Sequence, residues 1–306
     1  IGGITSPKML EKGYPRDVTA AIAASSGTLG VVIPPSIGMV TYAVTAGVSV
    51  TAMFLGGWIP GIMLAVGLCV MNMFKCRKYD TPDRTKYPAK EYVVRFKDAF
   101  LALLMPVIIL GGIYTGIFTP TESAAVACVY ALVVSVFVFR EVDAKKLYDI
   151  FAESCVSSAI VMFIISMSAP FSWFMTTENI PTILSSTIMA AFSSKYVILL
   201  MMNLLLLFLG CFLETQSIIL LVTPILLPIA VALGVDPIVL GLIIIVNTSI
   251  GMITPPMAVN IFVASSITKA SIGAISKRVI PYLILEFAIL LFYMYVQVVF
   301  DISFAP

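Results

Sequence analysis

The sequence predicts an all-α membrane protein, a polytopic helical bundle with inverted repeats, re-entrant hairpins and helices broken at Pro-Pro pairs. The composition, the spacing of apolar segments and an internal repeat predict this fold class. Of the 306 residues, 60% are hydrophobic and 11% are charged, whereas about 25% of a soluble domain is charged. A soluble fold of this size could not hide so much apolar surface, and lipid is the solvent that removes the problem.

Apolar segments of about 20 residues, the length that crosses a bilayer, recur along the chain. The apolar regions 17–47 and 238–268 are each interrupted by paired prolines, and the apolar stretch 182–193 is short. An odd number of crossings between 99 and 213 requires 182–193 to cross or to be half of a broken crossing. The uninterrupted candidates are 56–74, 99–118, 121–139, 156–175, 196–213 and 279–300.

A basic loop predicts the orientation in the membrane. Residues 75–98 contain eight of the 18 Lys and Arg residues, and loops rich in these residues stay on the cytoplasmic side. We therefore expect a bacterial inner-membrane protein with loop 75–98 in the cytoplasm and a periplasmic C-terminus. The other basic residues expected on the cytoplasmic side are Arg140, Lys145, Lys146, Lys269, Lys277 and Arg278.

An internal repeat appears when the chain is shifted by 221 residues. Pro and Gly residues, whose backbone consequences are the most specific, match between the copies without gaps. The basic residues place the two copies in opposite orientations, so the repeat is inverted. Because the first copy begins abruptly at Ile1, we expect an N-terminal portion, including the tip of a first hairpin, to be missing. The matched pairs are Pro7 with Pro228, Gly13 with Gly234, Gly30 with Gly251, Pro34-Pro35 with Pro255-Pro256, and Ile59-Pro60 with Ile280-Pro281.

The two Pro-Pro pairs predict helix breaks at membrane depth. Proline lacks the N–H donor and clashes with the preceding turn, so the stretches 25–35 and 247–256 cannot be continuous helices. Freed backbone carbonyls are tolerated there only where protein or a watery cavity satisfies them. Together with the neighbouring Ser and Thr hydroxyls they are hard oxygen ligands suited to Na⁺, and paired breaks in inverted repeats indicate a transporter binding site. A Pro kink that serves only helix packing is the alternative.

A third element follows Leu213. The apolar stretch 214–233 contains Thr223, Pro224 and Pro228 and is predicted to be a re-entrant helical hairpin, not a full span. Thr215, Gln216 and Ser217 would then lie near an ion or substrate. The alternative is an ordinary polar loop at a helix end.

Several function classes are excluded or disfavoured by composition. Without histidine the chain has no His metal ligands, no Ser-His or Cys-His catalysis and no His proton relay. The five cysteines have no metal-like or disulfide-like spacing, and the net charge of +2 does not argue for nucleic acid. An intramembrane protease or acyltransferase would need a paired Asp or a Ser-Lys dyad inside the spans, and the predicted spans contain neither. We therefore predict that the chain is not an enzyme and has no organic cofactor. The carboxylates in apolar surroundings are Glu122, for which helix capping is favoured, Glu153, Glu214 and Glu286.

The sequence resembles the large membrane subunit of TRAP (tripartite ATP-independent periplasmic) transporters, over its C-terminal two-thirds. The resemblance covers the entire chain, and the stretch from Gly111 to Glu122 is its most specific part. The other motifs that carry it are Ser25–Pro35 followed by Ser36-Ile37, Ile59-Pro60-Gly61, the apolar run from Pro106 into that stretch, and Thr254-Pro255-Pro256.

The resemblance implies an elevator-type fold with a scaffold domain and a transport domain. Transport-domain parts would be residues 1–55 and 214–268, with scaffold and connecting arms in 56–213 and a final scaffold span in 269–306. It also implies symport, the Na⁺-driven uptake of a small carboxylate such as a C4-dicarboxylate or a sialic acid. The partners implied are a small membrane subunit and a periplasmic substrate-binding protein.

The resemblance also assigns site residues. One Na⁺ site would use the break from Gly27 to Pro34 with the missing hairpin tip, and the other Thr215–Ser217 with the break from Thr248 to Pro255. The Na⁺ ligands expected are Gly27, Thr28, Gly30, Pro34, Thr215, Gln216, Ser217, Thr248, Gly251, Thr254 and Pro255. The substrate residues expected are Ser25, Ser26, Thr254 and Asn260.

Two alternatives to coupled transport by this chain stay open. A Na⁺-independent channel or facilitator for organic anions on the same scaffold would need no coupling-ion gradient. The second alternative is that this chain is not competent for transport alone and is only part of an assembly. No Arg lies within a clear span to clamp a carboxylate, so we expect helix ends, hydroxyls and backbone N–H groups to hold the anion.

Overall fold

A computed structural model describes residues 2–79, 88–192 and 194–300, and this part of the chain forms fourteen α-helices and no strand. The predicted all-α class is therefore confirmed. The chain folds into two compact units. One combines Ile1–Asp80 with Met167–Pro306, and the other is Thr81–Ser166. The division into transport and scaffold domains stays a prediction.

The first copy of the repeat begins the larger unit. Paired prolines interrupt its broken helix between Val32 and Ile37, where the two parts bend by 40°. Serine N-caps begin the next two helices. Ser36 accepts a hydrogen bond from Met39 N at the start of the helix after the break, and Ser49 accepts one from Ala52 N at the start of the helix that follows. The helices are α1 (Gly2–Glu11), α2 (Arg16–Gly27), α3 (Leu29–Val32), α4 (Ile37–Ala46) and α5 (Val50–Cys76).

The second copy repeats this order. Gly13 and Gly234, a matched pair, have φ of 82° and 73° and end the helices before each broken helix, a conformation that glycine adopts without strain. The matched pairs Pro34-Pro35 and Pro255-Pro256 both have cis peptide bonds. The internal repeat is thus confirmed, while the opposite orientation of its copies stays a prediction. The helices are α11 (Thr215–Ala232), α12 (Pro237–Gly251), α13 (Val259–Thr268) and α14 (Ile272–Val299).

The prediction that residues 214–233 form a re-entrant hairpin is wrong. These residues form the single helix α11, and the preceding turn is 211–214, after α10 (Lys195–Gly210). Pro224 and Pro228 are one turn apart and each removes one helix hydrogen bond, so the helix tolerates them, whereas two adjacent prolines remove consecutive donors. With 18 residues, α11 is also long and apolar enough to cross a membrane. The segment 182–193 corresponds to α9 (Ile180–Ala191).

The smaller unit contains α6 (Ala89–Tyr114), α7 (Pro120–Val133), a π-helical turn (Val134–Val138) and the first part of α8 (Ala144–Thr177). Thr119 and Glu122 form a reciprocal capping box at the start of α7, which confirms the structural role expected for Glu122. The predicted loop 75–98 is shorter than expected, because α5 reaches Cys76 and α6 begins at Ala89. Residues 80–87 of that loop, and 301–306 at the C-terminus, lie outside the described residues.

Five helices of the described chain are long and apolar enough to cross a membrane, and a sixth span results if the bent first broken helix is counted as one. The last of them, α14, turns one apolar face outward, with Ile280, Ile284 and Phe292 each more than half exposed. Such a face requires lipid. The chain is therefore a multi-pass membrane protein.

Helix α12 forms the centre of the larger unit. It is buried from Ile238 to Gly251, and it packs against α3, α4, α5, α10, α11 and α14. Helix α12, in the second broken helix, thus contacts α3 and α4 of the first, and α13 of the second contacts α2 of the first. The halves of each broken helix thus pack against the other broken helix, which brings the two breaks into one region.

Candidate ion- and substrate-binding site

The first break places its hydroxyls inside the protein. Ser25 and Thr28 are fully buried, and Ser25 Oγ donates to Ala21 O at 2.8 Å within its own helix. Thr28 lies between α2 and α3, where its Oγ1 is 2.7 Å from Ser25 O. Pro34, which ends this segment, is buried as well. The hydroxyl of Ser25 therefore faces the protein core, although the sequence placed Ser25 with the substrate.

A cleft opens beside this break. It has a volume of about 320 Å³ and brings together four residues expected at the site: Ser26, Gly27, Gly30 and Asn260. None of its described lining residues is Lys or Arg, and the expectation that helix ends, hydroxyls and backbone N–H groups hold an anion stays a prediction. The remaining lining residues are Gly2, Gly3, Ala23, Val263, Ala264 and Ile267.

Asn260 connects the two broken helices. Its Nδ2 donates to Ala24 O at 3.2 Å, and its backbone N donates to Met252 O at 3.0 Å across the second break. A Cβ added to Gly27 would lie 2.9 Å from Asn260 Nδ2, so glycine at 27 permits this close approach. Half-buried Asn260 thus contacts the first broken helix through its side chain and the second break through its backbone, and it lines the cleft.

The second break packs against the turn between α10 and α11. A Cβ on Gly251 would lie 2.7 Å from Gly210 Cα, and Met257 N donates to Cys211 O at 3.2 Å. The hydroxyls here bond to their own helix, with Thr248 Oγ1 3.1 Å from Ile245 O and Thr254 Oγ1 2.8 Å from Ile250 O. Pro255 is exposed. The break and the turn 211–214 are therefore one packed substructure.

The start of α11 carries unpartnered oxygens beside this turn. Glu214 caps the helix by accepting from Gln216 N and Ser217 N, so the polar residues begin a helix. The buried atoms Thr215 Oγ1 and Gln216 Oε1 have no hydrogen-bond partner among the described residues. Buried oxygens of this kind normally find a partner, and neutral oxygens suit a hard cation. The donor set of Thr215 and Gln216 therefore fits Na⁺ by its chemistry.

Two further polar features were not assigned to the site from the sequence. Asn247 Nδ2 donates to Asn203 Oδ1 at 3.0 Å, and both amides are fully buried between α12 and α10. Glu286 is fully buried in α14, with Oε1 3.1 Å from Thr28 Oγ1. Its isolated position in an apolar span was visible in the sequence, but its proximity to the first break was not.

The fold and site define a polytopic helical membrane protein in which two repeated, broken helices meet at one cleft. The family model described as "Tripartite ATP-independent periplasmic transporter, DctM component" matches residues 1–299. The chain belongs to this family.

Named relatives agree with this membership. The chain is 41% identical over 303 residues to the isethionate TRAP transporter permease protein DctMQ of Oleidesulfovibrio alaskensis, covering 98% of this chain and 47% of that protein. It is 40% identical to the C4-dicarboxylate TRAP transporter large permease protein DctM of Pseudomonas aeruginosa, covering 98% of this chain and 70% of that protein. It is 36% identical to the sialic acid TRAP transporter large permease protein SiaM of Vibrio cholerae, covering 95% of this chain and 68% of that protein. These relatives are named as transporter permeases, not as enzymes.

Proposed function

We propose that this chain carries the ion- and substrate-binding part of a secondary active transporter. It takes up a small organic anion together with Na⁺ across the bacterial inner membrane. The observation that carries the proposal is the pair of broken helices that pack against each other and share Asn260 at one cleft. Paired broken helices from two repeats are the usual construction of a coupled binding site.

The chemistry of the breaks supports Na⁺ as the coupling ion. The first site draws on Thr28 and the break from Gly27 to Pro34, and the second on Thr215–Ser217 with Thr248–Pro255. Carbonyl and hydroxyl oxygens are hard ligands, and within the described part of the chain Thr215 Oγ1 and Gln216 Oε1 have no hydrogen-bond partner. When bound, Na⁺ supplies the charge that couples its gradient to the movement of the substrate.

The cleft supports an anionic substrate. Ser26 and Asn260 offer a hydroxyl and an amide, and Gly30, with nothing within 4 Å of an added Cβ, lets a ligand approach the backbone closely. Relatives named for C4-dicarboxylates, sialic acid and isethionate support carboxylates and sulfonates as the substrate class. A periplasmic binding protein delivers the anion, and a small membrane subunit completes the permease. The relative named DctMQ, of which the chain spans 47%, supports this last partner.

Uptake into proteoliposomes tests the proposal. The transporter assembly that contains this chain is reconstituted with its small subunit and binding protein, and a radiolabelled panel of C4-dicarboxylates, sialic acid and isethionate is offered. We expect uptake of one class that requires both an inward Na⁺ gradient and the binding protein. Uptake that ignores the Na⁺ gradient contradicts coupling and establishes a facilitator instead.

A further inference from the structure

Glu286 lies in the middle of α14, on the face that packs into the protein. Val279, Tyr282, Leu290 and Tyr293 share this buried face, with the spacing of neighbouring helix turns. Helix α14 packs there against α2, α5 and α12. Glu286 is thus directed away from lipid and toward the first broken helix.

No described residue supplies a compensating charge to the carboxyl group of Glu286. Its exposed fraction is 0%, and Oε2 has no hydrogen-bond partner in the part of the chain that the structure describes. Within residues 2–79, 88–192 and 194–300, no Lys or Arg forms an ion pair with it; the pairs found there are Arg95–Glu91 and Arg278–Asp17. A buried carboxylate without a charged partner is strongly unfavourable, and an intramembrane carboxylate marks a functional site by default.

The Thr28 hydroxyl contacts both the first broken helix and Glu286. Thr28 Oγ1 lies 2.7 Å from Ser25 O and 3.1 Å from Glu286 Oε1. A hydroxyl has a single proton, and the Ser25 carbonyl also accepts from Thr28 N at 3.3 Å, so the Thr28 hydroxyl can donate to Glu286 Oε1 but leaves Oε2 without a donor among the described residues. Three acceptor oxygens, Ser25 O and both carboxylate oxygens of Glu286, therefore meet at the first break beside two donors, the N–H and O–H of Thr28.

We infer that Glu286 is the charged ligand of the coupling cation at the first break, together with the Thr28 hydroxyl and the Ser25 carbonyl. This inference deepens the proposed function and rests on it. The carboxylate supplies the negative charge that neutral carbonyls and hydroxyls lack, and hard oxygen atoms are the ligands that Na⁺ takes. It also ties the cation to the final helix of the second repeat, so that one ion holds α14 against the broken helix of the first.

Na⁺-dependent thermal stability of the transporter assembly in nanodiscs tests the inference, with ²²Na⁺ binding as the second measurement. We expect Glu286→Gln, which keeps the shape and removes the charge, to weaken the apparent Na⁺ affinity by about tenfold or more, a change of about 1.4 kcal/mol. Glu153→Gln is the matched control, because Glu153 is exposed on α8 and the same chemical change there leaves Na⁺ affinity at the wild-type value. Wild-type Na⁺ affinity in folded Glu286→Gln overturns the inference.

A second variant tests the inference if Glu286→Gln does not fold. Thr28→Val removes the hydroxyl and keeps the side-chain shape and the carboxyl group, and we expect it to weaken Na⁺ affinity as well. Wild-type Na⁺ affinity in Thr28→Val also overturns the inference. If the wild-type assembly itself shows no Na⁺ stabilisation, Na⁺ coupling fails as a whole, which is distinguishable from failure at Glu286 alone.

Discussion

Single residues at the two breaks set how closely the backbones approach. Gly251 and Gly210 allow α12 and the end of α10 to touch, and Gly27 allows the Asn260 amide to sit against α2. Where glycine permits such contact, an added methyl group must displace backbone or a polar side chain. The substitutions with the clearest physical meaning at this scale are therefore Gly→Ala and the truncation of Asn260.

Gly251→Ala is expected to destabilise the protein by about 1–3 kcal/mol, the usual cost of overpacking. Its Cβ would lie 2.7 Å from Gly210 Cα and 2.8 Å from Gly210 O, and backbone atoms cannot swing aside. The measurement is thermal unfolding in nanodiscs. Gly273→Ala is the control, because nothing lies within 4 Å of that Cβ. Equal melting temperatures for the two variants would contradict the close packing of the second break.

Asn260→Ala is expected to raise the substrate KM by about fivefold to tenfold, because it removes a hydrogen bond worth about 1 kcal/mol and a polar group from the cleft. Uptake by the reconstituted assembly measures this. Asn72→Ala is the control: Asn72 lies on α5, accepts from Tyr282 OH and does not line the cleft. A KM that changes equally in both variants would argue against a role of Asn260 in binding.

At the scale of elements, the breaks and the helix starts determine the site. The chain restarts as helix α4 only after Ser36 caps it, and α11 begins where Glu214 caps Gln216 and Ser217. Adjacent prolines interrupt a helix, whereas Pro224 and Pro228, one turn apart, leave α11 continuous. The position of a proline relative to the next one thus decides between a break and a tolerated irregularity.

Replacing Pro34 and Pro35 by Ala is expected to restore two backbone donors and favour a helix continuous from α3 into α4. We expect Na⁺-dependent uptake to fall by about tenfold or more, since loss of about 1.4 kcal/mol in affinity has that effect, while the amount of protein in the membrane is kept. Pro228→Ala is the matched control, because Pro228 is exposed within the continuous helix α11. Undiminished uptake in the double variant would show that the first break serves packing alone.

At the scale of the whole molecule, the repeat and the orientation of its copies govern how a site can be reached from each side. The elements of the two copies correspond in order, from the glycine turns at Gly13 and Gly234 to the broken helices that follow them. Their opposite orientation, which the basic loop predicts, has a direct chemical test.

Cysteine labelling is expected to distinguish the two membrane faces. In a variant whose five native cysteines are replaced, Lys145→Cys and Lys277→Cys should react with a membrane-impermeant maleimide only from the cytoplasmic side. Ile117→Cys, at a position that is 70% exposed, should react only from the periplasmic side. Detergent-solubilised samples provide the control for reactivity. Labelling of Lys145→Cys and Ile117→Cys from the same side would contradict the predicted topology.

The sequence alone determined the membrane class, the repeat and both breaks, because composition, proline and glycine act through local or additive physics. An apolar surface requires lipid wherever it lies, and a Pro-Pro pair interrupts a helix whatever surrounds it. Helix ends were harder to predict: α6 begins ten residues before the predicted span, where Arg95 pairs with Glu91 one turn away.

Only the tertiary structure decided which of the polar residues meet. Ser25 and Ser26 are neighbours in sequence, yet one hydroxyl bonds within the core and the other side chain lines the cleft. The contacts of Asn260 with Ala24 and of Glu286 with Thr28 join residues 236 and 258 positions apart. Such pairings depend on how helices pack against one another, and ridge-and-groove packing of long apolar helices is not encoded in any local pattern. The sequence therefore supplied the parts of the site, and packing of the two repeats selected the partners.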